Sequence, residues 1–330
     1  MQLLSRRRAL AAFASVTAAG AVPGIARAAG KVAKIGIDYA YYNPVSLVLK
    51  QKGWLEAALE KYGTRVEWVL SLGSNKANEF LAANVVQFGS TAGSAALLAR
   101  SNGSPIRTVF LYSQPEWTAL VVGKNSTISS PAQLRGKKVA ATRGTDPWFF
   151  LLRVLRDNGM TQRDIELIDL QHPDGRIALE RGQVDAWSGL DPHMAASQLD
   201  AGSRLIYRNI SYNTYGALNT REDFLKDHPD IVATVLKTYE RAREYSQKYI
   251  AETALVLSQE AKVTIPVANV EVKERTKWPD PTPGSAYRSA LAAVSVIVKE
   301  EHLAVPGADV DGALAALVDP KPATLALGHG

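Results

Sequence analysis

The 330-residue chain has no cysteine at all, which excludes disulfides, thiolate metal sites, cysteine nucleophiles and a lipid-modified N-terminal cysteine together. Any stability must therefore come from the core. Long apolar runs are also missing: no segment reaches the ~18 consecutive apolar residues that a membrane-spanning helix needs. A basic tract of the kind that neutralises phosphates is absent too. Lysine and arginine number 38 against 32 acidic residues, but Arg6, Arg7, Arg8 and Arg27 lie in a stretch that reads as a removable leader. Without them the balance is 34 to 32, and that near-neutrality excludes a nucleic-acid binder. The five histidines, His172, His193, His228, His302 and His329, show no metal-helix spacing and no serine-hydrolase context, and Gly89-Ser90-Thr91-Ala92-Gly93 lacks the G-x-S-x-G register. What remains is 46% hydrophobic and 21% charged, ordinary globular proportions with room for two α/β lobes.

The first 28 residues read as a twin-arginine export signal. Ser5-Arg6-Arg7-Arg8-Ala9-Leu10 leads into a weakly apolar run, Ala9 to Val22, that ends at Pro23-Gly24 and then Ala26-Arg27-Ala28, with cleavage expected before Ala29. A periplasmic location follows from that reading.

From Val32 short β-rich runs alternate with helical segments, the pattern of a mostly parallel sheet flanked by helices. Strands are expected at Val32–Tyr39, Val66–Ser71, Val85–Gly89, Ile106–Tyr112 and Thr118–Val122. Asn43-Pro44 supplies an N-cap and an N1 proline for the first helix. A second series, with strands at Lys137–Ala141, Ile165–Gln171, Val184–Trp187 and Arg204–Asn209, begins after Pro131, and Tyr215–Asn219 returns the chain to the first lobe. Two connecting passages are implied, so lobe 1 comprises 29–117 with 219–330, and lobe 2 comprises 118–218. Beyond Thr220 the chain is helical, most clearly over Pro229–Tyr249, where Ile231, Val232, Val235, Leu236, Tyr239 and Ala242 form a core stripe. The tail Lys321–Gly330 carries little to tie it down.

Five stretches carry a family likeness: Ile35-Gly36; Val86-Gln87-Phe88-Gly89-Ser90-Thr91; Leu134 to Ala140; Glu180 to Trp187 with Asp191-Pro192; and Arg221-Glu222-Asp223-Phe224 with His228-Pro229. In this order and spacing the chain resembles the solute-binding proteins of ABC importers for aliphatic sulfonates, within the group that also handles taurine, nitrate and thiamine precursors. From about Thr264 onward the likeness is thin. The resemblance implies a type II periplasmic binding protein with a ligand cleft between two α/β lobes. It also implies a membrane permease as partner, an organosulfonate as solute, a monomeric shuttle, and no cofactor. Another small anion or a zwitterion (carboxylate, phosphonate, nitrate) is the alternative solute. An enzyme of the thiamine-precursor type on the same fold is the alternative function.

In open sheets ligands bind beyond the carboxyl ends of the strands. Four regions then offer contacts. The strand is expected to break at Gly89–Gly93, and Ser90, Thr91, Ala92, Gly93 and Ser94 then form a glycine- and hydroxyl-rich turn before a helix, whose amides and hydroxyls suit a sulfonate oxygen. Gly144 and Thr145 stand where the sulfonate family places serine and threonine, while Asp146 departs from that pattern. Asp146 either complements a helix start, worth roughly 0.3–1 kcal/mol, or faces the cleft and favours a cationic group. Asp38, Tyr41, Tyr42 and Asn43 offer phenolic rings beside a carboxylate, either for an organic tail or for surface packing. Trp187 and Asp191 form the last region, with Leu190 where the family usually carries a second tryptophan; Trp187 is either core or ligand wall. Trp117 and Trp148 are weaker candidates. A micromolar ligand requires about −8 kcal/mol, which four or five hydrogen bonds to a charged group at roughly 1.5–3 kcal/mol each would supply.

Overall fold

The computed structural model describes residues 32–328; the expected export signal and the last two residues lie outside them. Eleven strands and fourteen α-helices follow in chain order among the described residues. The first half runs β1 (Lys34–Tyr39), α1 (Pro44–Lys52), α2 (Trp54–Leu59), β2 (Arg65–Leu70), α3 (Ser74–Ala82), β3 (Phe88–Ala92), α4 (Gly93–Ser101), β4 (Ile106–Pro115) and β5 (Leu120–Val122). Then come β6 (Lys138–Ala141), α5 (Asp146–Asp157), β7 (Glu166–Asp169), α6 (His172–Glu180), β8 (Ala186–Ser188), α7 (His193–Asp200), β9 (Arg204–Tyr207) and β10 (Gly216–Arg221). The remainder is α8 (Glu222–Asp227), α9 (Pro229–Lys248), α10 (Ile250–Ala261), α11 (Ile265–Asn269), a π-helical turn Val270–Arg275, β11 (Thr276–Lys277), α12 (Ser285–Glu300), α13 (Val310–Leu317) and α14 (Lys321–Leu327). No described helix is long and apolar enough to cross a membrane.

The strands form two sheets, ordered β11-β4-β10-β3-β1-β2 and β7-β6-β8-β5-β9. Pairings among β1, β2 and β3, and among β6, β7 and β8, are parallel. Apart from the short β11–β4 pair, the antiparallel pairings fall where the chain passes between sheets: β10, coming from the second sheet, inserts between β3 and β4. β5, coming from the first, inserts between β8 and β9. Each sheet is therefore mixed in pairing while most of its strands point one way. The two passages between the sheets are 116–119 and 208–215.

The expected turn over Gly89–Gly93 is mostly strand. β3 runs through Gly89, Ser90 and Thr91 because it lies centrally, paired to β1 on one side and β10 on the other, and all five of its residues are buried. Small side chains are needed there: a Cβ on Gly89 would stand 2.7 Å from a Leu81 methyl. The end of the chain is also better fixed than its composition suggests. α14 starts with Pro322 in its first turn, buries Ala323 completely and closes on Gly328 at φ 73°.

Two large apolar clusters organise the packing. One lies between the first sheet and α1, α9 and α10, built from Ile35, Leu47, Phe88, Phe110, Leu236 and Tyr239 among others. The other is continuous across both sheets: Leu97, Leu120, Val139 and Phe149 meet Tyr287, Leu291 and Leu317 from α12 and α13. The helices after residue 264 therefore belong to the core.

Candidate functional site

The carboxyl ends of β1, β2 and β3 face those of β6, β7 and β8, and the side chains between them are the candidate site. Local sequence sets the ends. Asn43 caps α1, its Oδ1 accepting from the Ser46 amide at 3.3 Å, and Pro44 takes the first helical position. Gly144 adopts φ 73°, the left-handed region that a side chain disfavours, and so turns the chain from β6 into α5. Thr145 then donates its hydroxyl to the Thr142 carbonyl at 2.6 Å, and Asp146 becomes the first residue of α5.

Asp146 is fully buried, and its carboxylate crosses from the second sheet's helix to the first. Oδ1 accepts from the Ser94 hydroxyl at 2.6 Å and the Thr214 hydroxyl at 2.8 Å; Oδ2 accepts from the Thr214 amide at 2.7 Å and Trp117 Nε1 at 2.8 Å. An ionised carboxylate has about four acceptor positions, and here all four are filled. Burial pushes its pKa up, against the opposing pull of these donors. Position at the first turn of α5 and contact across the junction thus coexist in one residue.

Asp191 makes a second crossing. Arg275 Nη1 stands 2.9 Å from both its oxygens, the Ala195 amide donates to Oδ1 at 2.9 Å, and Arg275 Nη2 reaches Gln198 Oε1 at 2.8 Å. The pair is almost dry, with side chains 6% and 0% exposed. Burial raises the pKa of Asp191 while the guanidinium opposes it. Buried Glu271 lies close by and is held well above the usual carboxylate range, first by burial and then by Asp191. Val267 and Val270 pack on Ala195 and Ala196 of α7, so the segment 265–275 clasps the second sheet's side.

Most of the other predicted residues are also buried but turn inward. Asp38 accepts from the Ser90 amide at 2.7 Å and the Ser90 hydroxyl at 2.9 Å. Burial carries its pKa up to about 7 against those bonds. Tyr42 donates to the Ser90 carbonyl at 2.9 Å and Asn43 Nδ2 to the Tyr239 hydroxyl at 2.8 Å. Thr91 Oγ1 accepts from Asn219 Nδ2 at 2.8 Å. The amides of the hydroxyl-rich segment are likewise engaged: Ala92 with Ser74 Oγ, Gly93 with the Tyr215 carbonyl, Ser94 with Thr214 Oγ1. Tyr41 is half-buried against the α1 and α9 core. Trp187 is fully buried among Val121, Ala140, Leu179 and Met194, the core of the second sheet. Trp148 is also core.

Apolar groups complete the junction. Ala40, Tyr42, Ala92 and Ala95 from the first side meet Trp117 from the passage and Leu190 from the second. Tyr42 and Trp117 stack edge to face at 6.0 Å. At the far edge a Cβ on Gly73 would lie 3.1 Å from His172 Nε2, so glycine admits the histidine ring. Burial drives His172 down to about 3, and its Nδ1 lies 3.1 Å from the Thr142 hydroxyl.

Sequence reasoning placed Ser94, Asp146 and Asp191 at the junction and carried Trp117 only as a weaker candidate. It missed Thr214 and Arg275. Thr214 sits in a connecting passage with no motif, and Arg275 stands 84 residues beyond its partner in the stretch where the likeness thins.

The comparisons with known proteins bear on this geometry. A putative aliphatic sulfonates-binding protein of Bacillus subtilis is 31% identical over 228 residues, 68% of each chain. The taurine-binding periplasmic protein of Escherichia coli is 28% identical over 208 residues, 61% of this chain and 63% of that protein, so the match spans somewhat under two thirds of its length. Among solved structures, the alkanesulfonate-binding protein SsuA of Xanthomonas axonopodis pv. citri bound to MOPS superposes with a TM-score of 0.79 at 24% identity, covering 86% of this chain and 99% of that one. The architecture described above is thus the two-lobe α/β fold of the periplasmic binding proteins. A family model described as NMT1/THI5 like matches residues 28–251, which take in every strand but β11, both passages and the Asp146 cluster, and the chain belongs to that family.

Proposed function

We propose that the chain is the periplasmic solute receptor of an ABC importer, and that it takes a small organosulfonate between its lobes and presents it to a membrane permease. The observation that carries this reading is the convergence of Ser94, Thr214 and Trp117 donors on one acid at the junction of two opposed sets of strand ends. Such a donor set matches the oxygens of an anionic head, and the Tyr42, Trp117 and Leu190 surface beside it matches an organic tail. The relatives' binding of aliphatic sulfonates and taurine supports the solute class.

In this reading lobe 1 is 29–117 with 219–330 and lobe 2 is 118–218, the lobes rotate about passages near 113–123 and 210–220, and residues 1–28 direct twin-arginine export of a monomer. β10 pairs with β3 from Gly216 onward, so residues 216–218 are assigned here to lobe 1 as well. Closure requires that the solute touch both lobes, since one that binds a single lobe equally in both states shifts nothing. In this reading the chain is a receptor rather than an enzyme, as the names of its relatives, aliphatic sulfonate- and taurine-binding proteins, support.

Calorimetry with ethane- to hexanesulfonate, taurine, nitrate and methylphosphonate tests the solute. The expected outcome is heat from the sulfonates and none from nitrate. Absence of heat from every sulfonate overturns the solute assignment and leaves the fold untouched.

A further inference from the structure

The four hydrogen bonds on Asp146 have a consequence for how a solute enters. Ser94 belongs to the first sheet's α4, Trp117 and Thr214 to the two passages, and Asp146 to the second sheet's α5. All four donor groups point at one place between the sheets, and a protein carboxylate already fills it, at distances of 2.6–2.8 Å. A sulfonate, like a carboxylate, is an acceptor-only anion, so the two groups ask for the same donors. They cannot both have them: Ser94 Oγ and Thr214 Oγ1 each have a single proton, and the Thr214 amide and the indole one each. Nor does Asp146 have a free lone pair with which to hold a ligand ammonium, because each of its oxygens already accepts two bonds.

We propose that Asp146 is an internal competitor for the anion site: its carboxylate draws the two lobes together on the donors that a bound sulfonate requires, and a sulfonate enters by displacing it. This rests on the sulfonate reading above and deepens it by naming a residue that sets affinity and specificity. Two properties follow. The solute-free chain is closed to a substantial extent, and the apparent affinity for anions is reduced in proportion to the fraction of molecules with the site free. A carboxylate at this position also disfavours small anions whose only anchorage is the donor set, since these must expel Asp146 without a tail to bind elsewhere; solutes with an organic tail gain from the Tyr42 and Trp117 rings.

The test uses the mature full-length protein, unfolded and refolded to strip bound solute, as wild type and as Asp146→Ala and Asp146→Ser. Two variants are made because the serine restores a small polar group where alanine leaves a void; circular dichroism establishes that each is folded. Small-angle X-ray scattering of the solute-free proteins is expected to show a compact wild type that changes little on adding propanesulfonate, and expanded variants that contract. Calorimetry is expected to show propanesulfonate bound at least about tenfold more tightly by the variants than by wild type, with taurine gaining as well.

An expanded solute-free wild type overturns the proposal on its own. So do folded variants that bind propanesulfonate no more tightly than wild type. Selective loss of taurine binding in the variants assigns Asp146 to the ligand ammonium and overturns it too. No heat from sulfonates in any of the three proteins overturns the sulfonate reading, and the competition with it, whereas retained sulfonate binding with no gain in the variants overturns only the competition.

Discussion

Asp146 and Asp191 both span the junction between the two sheets, both are buried, and both have pKa values raised by that burial, yet they are satisfied in opposite ways. Asp146 is held by neutral donors alone, two hydroxyls, an amide and an indole. Asp191 is held by the Arg275 guanidinium and one amide. A site built of neutral donors carries no charge of its own to strand when one anion replaces another in it. A dry ion pair cannot, because separating it exposes two ions to a poor solvent for charge. The first is suited to exchange with a solute and the second to holding a fixed contact.

Breaking the fixed contact has the largest expected effect. Arg275→Met leaves Asp191 ionised, buried and without its partner, next to Glu271, and is expected to lower stability by about 3–5 kcal/mol in urea denaturation. The double variant Arg275→Met with Asp191→Asn removes both charges and should recover much of the loss. A single-variant cost below about 1 kcal/mol would erase the distinction between the two carboxylates.

Asp38 sharpens the contrast because it, too, is held by neutral donors, but wholly within one sheet. Its folded pKa of about 7 lies above the ordinary 3.8, so between those values the folded chain holds a proton that the unfolded chain has released. The contribution of this group is full below pH 3.8 and is lost as pH rises through about 7. The stability of wild type relative to Asp38→Asn should therefore fall, by on the order of 2–4 kcal/mol, between pH 4 and pH 8. A difference independent of pH would show Asp38 ionised throughout.

The smallest effect is a control. Lys299 and Asp311 form a close pair at 2.6 Å but are 45% and 70% exposed. Lys299→Met should change the urea midpoint by no more than corresponds to about 0.5 kcal/mol, and 0.5 M salt should erase what there is. A larger loss would mean that exposure is a poor guide to which of these ion pairs matters.

How much of this could be read from the sequence depends on the range of the interaction. Local signals were good guides: Asn43-Pro44 opens α1, and the Ile231, Val235, Tyr239 spacing marks α9. The Gly89–Gly93 segment misled because glycine and serine signal a turn only when the backbone is free to turn. In β3, neighbours on both edges demand a strand, and small residues there serve close packing. Asp146 was flagged by its departure from a pattern, but its four donors come from positions 94, 117 and 214, which only the fold assembles. Arg275 had no such flag. An arginine in a weakly patterned stretch gives no sign that it will be buried 84 positions away from its partner.

The turn at Val270–Arg275 leaves the first sheet's side, fastens on α7 and returns through β11 to the end of β4, beside the first passage. Against the proposed swing about the two passages, Arg275 and Asp191 form a further tether, non-covalent and made late in the chain. Any swing must either drag residues 265–275 along with the second lobe or strip Arg275 from Asp191. In the proposed receptor the limit on opening would thus be set beyond Thr264, outside the residues the family model matches.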